Sequence, residues 1–303
     1  MVKIKSNIPI ARLSTFKIGN KAKYFCEVKN DTELLEAIIK AKELKALYKI
    51  IAGGSNVVFP DTILNCLLIR VGSKRLKVEG NKIVVDAGTL LSRVIAQANK
   101  HGLRGLETLA GIPGTVGGAI VGNAGAYGHS ISEAVEEIEI LDGGTKRWLK
   151  NKDCRFHYRE SIFKEGPYIV LRAVLKFKKS NPDKLEKISN NIIKTRLKKY
   201  KPGLRCPGSF FKNVLVAEAS KKSLALIDQN KIIDGKIPAG YLLEEVAAKG
   251  MRCGGIQIAD FHGNLFINDG SAKAADVQKL ARILKNRVKK KFRIILNEEI
   301  RYF

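Results

Sequence analysis

The sequence predicts an α+β protein of two or three domains, and three observations carry that reading. The opening segment alternates strand, helix and strand patterns, and the middle is punctuated by hairpin turn residues. A long basic helix then leads into a last segment of mixed short strands and helices. With 303 residues, 45% hydrophobic and 28% charged, the chain can bury more than one small core.

Asp31 caps a predicted helix over 32–45, where Leu34, Leu35, Ile38 and Ala41 share a face. Tyr48 to Ala52 reads as a short strand running into Gly53-Gly54-Ser55-Asn56. Strands follow at 67–71, 76–79 and 83–86, the last two flanking a Gly80-Asn81 turn. Thr89 starts a helix that His101-Gly102 ends. A second hairpin, 135–141 with 146–149, turns at Asp142-Gly143-Gly144, and 168–177 is a long strand. Asn181-Pro182 opens the basic helix, which Pro202-Gly203 breaks. Helices at 239–248 and 271–290 and strands at 253–259, 264–268 and 293–303 complete the chain.

Charge is the unusual part of the composition. Lys and Arg number 55 against 29 Asp and Glu, a net +26. Such a field suits nucleic acid, a membrane surface or phosphate-bearing small molecules, but scattered lysines also fit simple compositional bias. The basic stretches 194–201 and 285–293 read as solvated faces rather than nucleic-acid grips. Cys26, Cys66, Cys154, Cys206 and Cys253 are odd in number and form no C-x-x-C pair, so reduced thiols are expected and no metal site. Met1 to Ile10 lacks a continuous apolar run, and no apolar run reaches a membrane-spanning length. A cytoplasmic protein without a signal peptide or membrane insertion is therefore expected.

Two glycine-rich stretches carry the strongest functional signal. One is Ala52 to Asn56, directly after a strand. The other runs from Gly111 through Ile112, Pro113, Gly114, Thr115, Gly117 and Gly118 to Asn123, Gly125, Ala126 and Gly128. One or two of these glycines could serve turns alone. Seven glycines between 111 and 128, among small uncharged residues in a lysine-rich chain, point instead to backbone that cradles a ligand. Neither a G-x-G-x-x-G opening a helix nor a G-x-x-x-x-G-K-[ST] loop is present.

The run from Leu109 to Ala119, continued by Asn123 to Gly128, resembles the FAD-binding segment of the UDP-N-acetylenolpyruvoylglucosamine reductase family. Ser14 to Gly19, Ala52 to Asn56, Tyr158-Arg159-Glu160-Ser161, Gly208 to Asn213, Pro238-Ala239-Gly240 with Glu244-Glu245, and Glu298 to Arg301 resemble its other motifs, in order. Val214 stands where the family usually has proline, and the chain resembles the shorter family type. The resemblance implies an FAD-binding domain of the vanillyl-alcohol-oxidase type in two parts, 1–70 and 71–180, with a C-terminal α+β substrate-binding domain at 181–303. It implies non-covalent FAD held by Gly53, Gly54, Ser55, Asn56, Gly111, Ile112, Pro113, Gly114, Thr115, Gly117, Gly118, Asn123, Gly125 and Ala126. NADPH is the implied hydride donor, UDP-N-acetylglucosamine enolpyruvate the implied substrate, and a monomer the expected state.

By the same resemblance Arg159 bridges the substrate carboxylate, where a guanidinium fork suits the developing charge. Ser209 donates a proton to the substrate carbon, although Gly208-Ser209 taken alone is also an ordinary turn. Glu299 orients the intermediate or relays protons, with Glu298 expected on the opposite face of a strand. Tyr158, Lys212, Asn213 and Glu245 are the implied substrate contacts. The alternatives are an oxidase of the same architecture that tethers flavin through His129, or a basic nucleic-acid-binding protein.

Overall fold

The computed structural model describes all 303 residues. They gather into two compact units. The first comprises Met1–Ile8, Ala22–Gly53 and Asn65–Lys198; the second comprises Pro9–Lys21, Gly54–Leu64 and Lys199–Phe303. These units do not follow sequential boundaries at 70 and 180. Stretches 9–21 and 54–64 leave the first unit for the second, and helix 182–199 stays with the first. Such excursions depend on contacts between distant segments, which periodicity does not record.

The first unit holds two larger sheets and two short two-stranded ladders. In one larger sheet, strands Lys5–Pro9, Lys21–Val28, Leu64–Val71 and Tyr48–Ile51 lie side by side in that order, the last pair parallel. Helix α1, Asp31–Glu43, turns Leu34, Ala37 and Ala41 onto a core with Cys26, Val28, Leu67 and Ile69. The other sheet has the order Thr145–Lys150, Val135–Asp142, Ile169–Lys176, Lys82–Asp86, Leu76–Glu79, each neighbouring pair antiparallel. Helices α2, Leu91–Lys100, and α3, Val116–Val121, cover it through Leu91, Val94, Ile95, Val116 and Ile120. The basic helix α4, Pro182–Lys199, belongs to the same unit, where Asn99 Nδ2 donates to the buried Ser189 hydroxyl at 2.8 Å.

The second unit is built round aromatic packing. Phe210 stacks on Phe266 with ring centroids 3.8 Å apart, and Phe211 meets Phe210 edge-on at 4.9 Å. Helices α5, Lys221–Leu224, α6, Ala239–Glu244, and α7, Ala274–Phe292, surround a small sheet of Arg252–Cys253, Ile256–Ile258 and Phe266–Asn268. The buried stripe of α7, Val277, Leu280, Leu284 and Val288, keeps helical spacing.

Several local expectations need correction. Asn30, not Asp31, caps α1, its side chain accepting the Glu33 N–H at 2.9 Å. Asp31 is thereby released to pair with Lys146 and Arg172, each at 2.7 Å. Thr89 does not cap α2, which starts after Leu90 without a side-chain cap; the Thr89 hydroxyl is buried and donates to the Arg75 carbonyl. Helix α6 stops at Glu244 because Ala247 turns left-handed, φ +55°. The predicted last strand shrinks to Arg301–Tyr302, parallel to Val57–Val58. Residues 294–297 still alternate buried and exposed, but alternation reports burial and not a ladder partner.

Arg172 is the charge centre of the first unit. Besides Asp31, its guanidinium meets Glu139 at 3.0 Å and Asp86 at 3.8 Å, and all four side chains are mostly buried. Burial works against the charged form of Asp31, yet hydrogen bonding from Lys146 and the charge of Arg172 win and hold its carboxyl below the usual range. Arg172→Leu strands buried carboxylates beside one another, and a loss of roughly 3–5 kcal/mol in unfolding free energy is expected by denaturant titration. An unchanged midpoint would show that the cluster is not structural.

Candidate active site

In the first unit the two glycine stretches touch through bare backbone. A Cβ built on Gly53 would lie 2.9 Å from the Gly114 Cα, and one on Gly117 would lie 2.8 Å from the Ala87 Cβ. No side chain fits at either place. The N–H groups of Val116 and Gly117 donate to the carbonyls of Thr89 and Ala87, and the Thr115 hydroxyl accepts from Gly118 at 3.4 Å. Those bonds pin the start of α3. The N–H groups of Gly53, Gly114 and Thr115 donate to no protein acceptor, and they lie beside the Gly53–Gly114 contact. Gly118 is exposed, with its nearest neighbouring atom 3.8 Å from a built Cβ. Unengaged donors next to a face without side chains suit an oxygen-rich diphosphate and a flat ring. The residues present fit FAD. Gly111, at φ +77°, backs onto Arg196 of α4.

The Tyr-Arg-x-Ser motif is sewn onto the end of this glycine run. Ser161 Oγ donates to the Val121 carbonyl at 2.8 Å, and Asn123 Nδ2 donates to the His157 carbonyl at 2.8 Å. Arg159 sits at the third position of a turn closed by paired bonds between His157 and Glu160. Its φ is +59°, a conformation that glycine takes readily and that costs other residues about 1–2 kcal/mol. Arg159 Nη2 donates to the Gly125 carbonyl at 2.6 Å, and the guanidinium lies 5.3 Å from the Tyr158 ring. Gly125 has no room for a Cβ, which would lie 2.4 Å from the His129 carbonyl oxygen. Ala126 pairs with His129 in a short ladder, and the His129 ring engages Glu133 at 2.8 Å. The Asn123 side chain thus serves the protein's own backbone.

In the second unit, Ser209 and Glu299 are brought into register by flanking segments. Ser209 forms an isolated antiparallel bridge with Leu265, and Phe211 forms one with Glu298. The Glu299 N–H donates to the Phe210 carbonyl at 2.8 Å, and the Lys212 N–H to the Asn297 carbonyl at 2.9 Å. Asn56 Nδ2 donates to the Glu299 carbonyl at 2.9 Å, so this residue of the first glycine loop fastens the C-terminal segment. Glu298 is held elsewhere, by Lys285 at 2.5 Å and by the Tyr302 hydroxyl. Asn213 Oδ1 accepts the Ala239 N–H at 3.1 Å, which ties it to the start of α6. Glu245 is exposed and pairs with Lys291 at 2.9 Å. Arg159, Tyr158 and the 111–126 run belong to the first unit; Ser209, Lys212, Asn213, Glu245 and Glu299 belong to the second.

Sequence reasoning missed the residues that do the holding. Asn264, only 2% exposed, clamps the Phe211 backbone from both sides, accepting its N–H at 2.8 Å and donating to its carbonyl at 2.9 Å. The Thr15 hydroxyl reaches the Ser55 and Cys206 carbonyls at 3.2 and 2.8 Å, joining the opening motif to the loop before Ser209. Thr15 stood inside a singled-out motif, so its position was legible while its task was not. Nothing local marked Asn264.

His262 supports the Asn264 turn: its Nδ1 accepts the Asn264 N–H at 3.1 Å, and Glu244 accepts the Gly263 N–H at 3.2 Å. Burial, reinforced by Lys199 and Lys249 against the opposing Glu244, pulls the His262 pKa from its ordinary 6.5 down to about 4. The unfolded chain therefore binds a proton between those values that the folded one refuses. This contribution is complete above about pH 6.5 and is lost as pH falls toward 4. After discounting for solvent screening, it is worth about 1–2 kcal/mol. Denaturant midpoints at pH 7.5 and 5.0 should fall more steeply in the native protein than in His262→Gln. Equal slopes would remove His262 from the account.

Comparison with known proteins agrees with this geometry. Residues 22–148 match the FAD binding domain model, and residues 199–303 match the model for the C-terminal domain of UDP-N-acetylenolpyruvoylglucosamine reductase. The chain is 39% identical to the reductase of that name from Solibacter usitatus, covering 99% of this chain and 96% of the relative. It is 34% identical to the one from Thermotoga maritima, covering 95% and 94%. Among solved structures, the UDP-N-acetylenolpyruvylglucosamine reductase of Thermus caldophilus superimposes with a TM-score of 0.79 at 28% identity over the whole of both chains. The α+β fold, with its flavin-binding part and distinct C-terminal domain, is the fold of these proteins, and the chain belongs to the UDP-N-acetylenolpyruvoylglucosamine reductase family.

Proposed function

We propose that this chain is an oxidoreductase that uses NADPH and FAD to reduce UDP-N-acetylglucosamine enolpyruvate to UDP-N-acetylmuramate, a peptidoglycan precursor. The single observation that carries the reading is the bare contact between Gly53 and Gly114, with unengaged N–H groups beside it, in a chain of this family. When bound, FAD supplies hydride transfer from NADPH to the enolpyruvyl double bond.

The chain's own residues do the rest. Gly53, Gly54, Gly114, Thr115 and Gly118 bind the dinucleotide through backbone, and Asn56, Gly117, Asn123 and Gly125 keep the surrounding segments in shape. Arg159 receives the substrate carboxylate as negative charge grows on it, its guanidinium pre-aimed by the Gly125 carbonyl. Ser209 Oγ gives its proton to the substrate carbon next to that carboxylate. Glu299, whose backbone is held against Phe210 and Asn56, orients the intermediate. Tyr158, Lys212, Asn213 and Glu245 are the further substrate contacts we assign. No helix is long and apolar enough to cross a membrane. Nucleotide-sugar and NADPH chemistry supports a cytoplasmic site of action.

Two tests follow. Gly118→Ala meets no protein atom closer than 3.8 Å, so the apoprotein should fold normally. Its FAD affinity, by fluorescence titration, should nevertheless fall by about tenfold or more, the cost of about 1.4 kcal/mol of lost contact; native affinity would mean that the ligand does not use this face. Ser209→Ala should leave anaerobic flavin reduction by NADPH intact while slowing reoxidation by the enolpyruvyl substrate about 10²–10⁴-fold. Equal losses in both half-reactions would refute the proton-donor role.

A further inference from the structure

The loop that delivers Ser209 begins at a tyrosine and returns to it. Tyr200 OH lies 3.1 Å from Ser209 Oγ, and either hydroxyl can donate. The phenol ring is fixed by packing on Cys206, Ala259 and Leu265, and Leu265 is the residue bridged to Ser209. One buried leucine therefore registers both ends of the hydrogen bond. Between them, Gly203 and Gly208 take φ values of +85° and +90° with open space at their Cβ positions, so the loop turns back without crowding. The Lys199 ammonium lies 5.1 Å from the Tyr200 ring centroid.

We propose that Tyr200 is the positioning residue for Ser209 and restores its proton. The inference rests on the proton-donor reading of Ser209. An aliphatic hydroxyl is a weak acid, and an alkoxide left at a half-buried site is costly. A phenol is a stronger acid, and a hydrogen bond to an oxyanion is stronger than one between neutral groups. In the step, the Ser209 O–H bond breaks as the C–H bond forms on the substrate carbanion. The Tyr200 O–H bond breaks as the Ser209 O–H bond re-forms. The phenolate, beside the Lys199 cation and only part-buried, then takes a proton from water. No electrons move in the relay, and its net result is one solvent proton delivered to carbon.

The experiment uses the FAD-loaded protein. Tyr200→Phe keeps the ring packed and removes only the hydroxyl. Anaerobic stopped-flow measurements should show flavin reduction by NADPH within about twofold of native and reoxidation by UDP-N-acetylglucosamine enolpyruvate slowed about 10–100-fold. Adding Tyr200→Phe to Ser209→Ala should cause no further loss, because the two hydroxyls act in series. A readout independent of turnover is the Cζ resonance of Tyr200 in protein labelled with 13C-tyrosine. Assigned by its absence in Tyr200→Phe, it should shift in Ser209→Ala. If Tyr200→Phe reoxidises at the native rate while Ser209→Ala does not, the relay is overturned and the function stands. Equal slowing of both half-reactions, or an unmoved resonance, also overturns it. Should native reduced protein ignore the enolpyruvyl substrate, the functional reading itself fails and the relay with it.

Discussion

The first unit depends on places where even one methyl group is too much. Gly53 on Gly114, Gly117 on Ala87 and Gly125 on the His129 carbonyl are contacts of backbone with its surroundings at distances that side chains forbid. Their closeness brings a loop that follows a strand against a loop that starts a helix. The same closeness gives Arg159 a carbonyl to hold. The surface proposed to face FAD is therefore made of main-chain groups whose positions are set by neighbouring main chain. Such a surface reorganises little when charge arrives, which is what electrostatic stabilisation requires.

The second unit solves a different problem with side chains. Ser209, Leu265 and Glu299 come from segments far apart in sequence, and the segments carrying Ser209 and Glu299 are joined only by isolated bridges. Asn264 gives Phe211 both of the bonds a strand partner would give, and Asn56 does half of that for Glu299. Amides are suited to this because each carries a donor and an acceptor. The stacked Phe210 and Phe266 rings hold the same segment from its apolar side.

Much of this was legible in the residues. Regular elements with strong periodicity or clear turn signals, such as the hairpin at 142–144 and the helix at 182–199, stand where pattern puts them. The glycine run announced itself by small uncharged residues in a lysine-rich chain. The boundaries of the two units did not, because the excursions at 9–21 and 54–64 answer to distant partners. Nor did the choice between Glu298 and Glu299. Alternation along an extended segment does not say which of the two lines a site, and the pairing of Glu298 with Lys285 and Tyr302 is visible only in three dimensions. Asn264 and Tyr200 were silent, since a clamp or a relay is defined by what lies opposite it in space.

The backbone of Arg159 has a consequence for how this protein can change. Its left-handed torsion is one that glycine adopts without penalty, so any search for greater thermal robustness will find that replacement attractive. The guanidinium aimed from that turn is the very group the replacement discards. On the role proposed for Arg159, robustness and turnover compete at a single codon, and variants ranked by melting temperature alone will drift toward a sturdier protein that lacks this guanidinium.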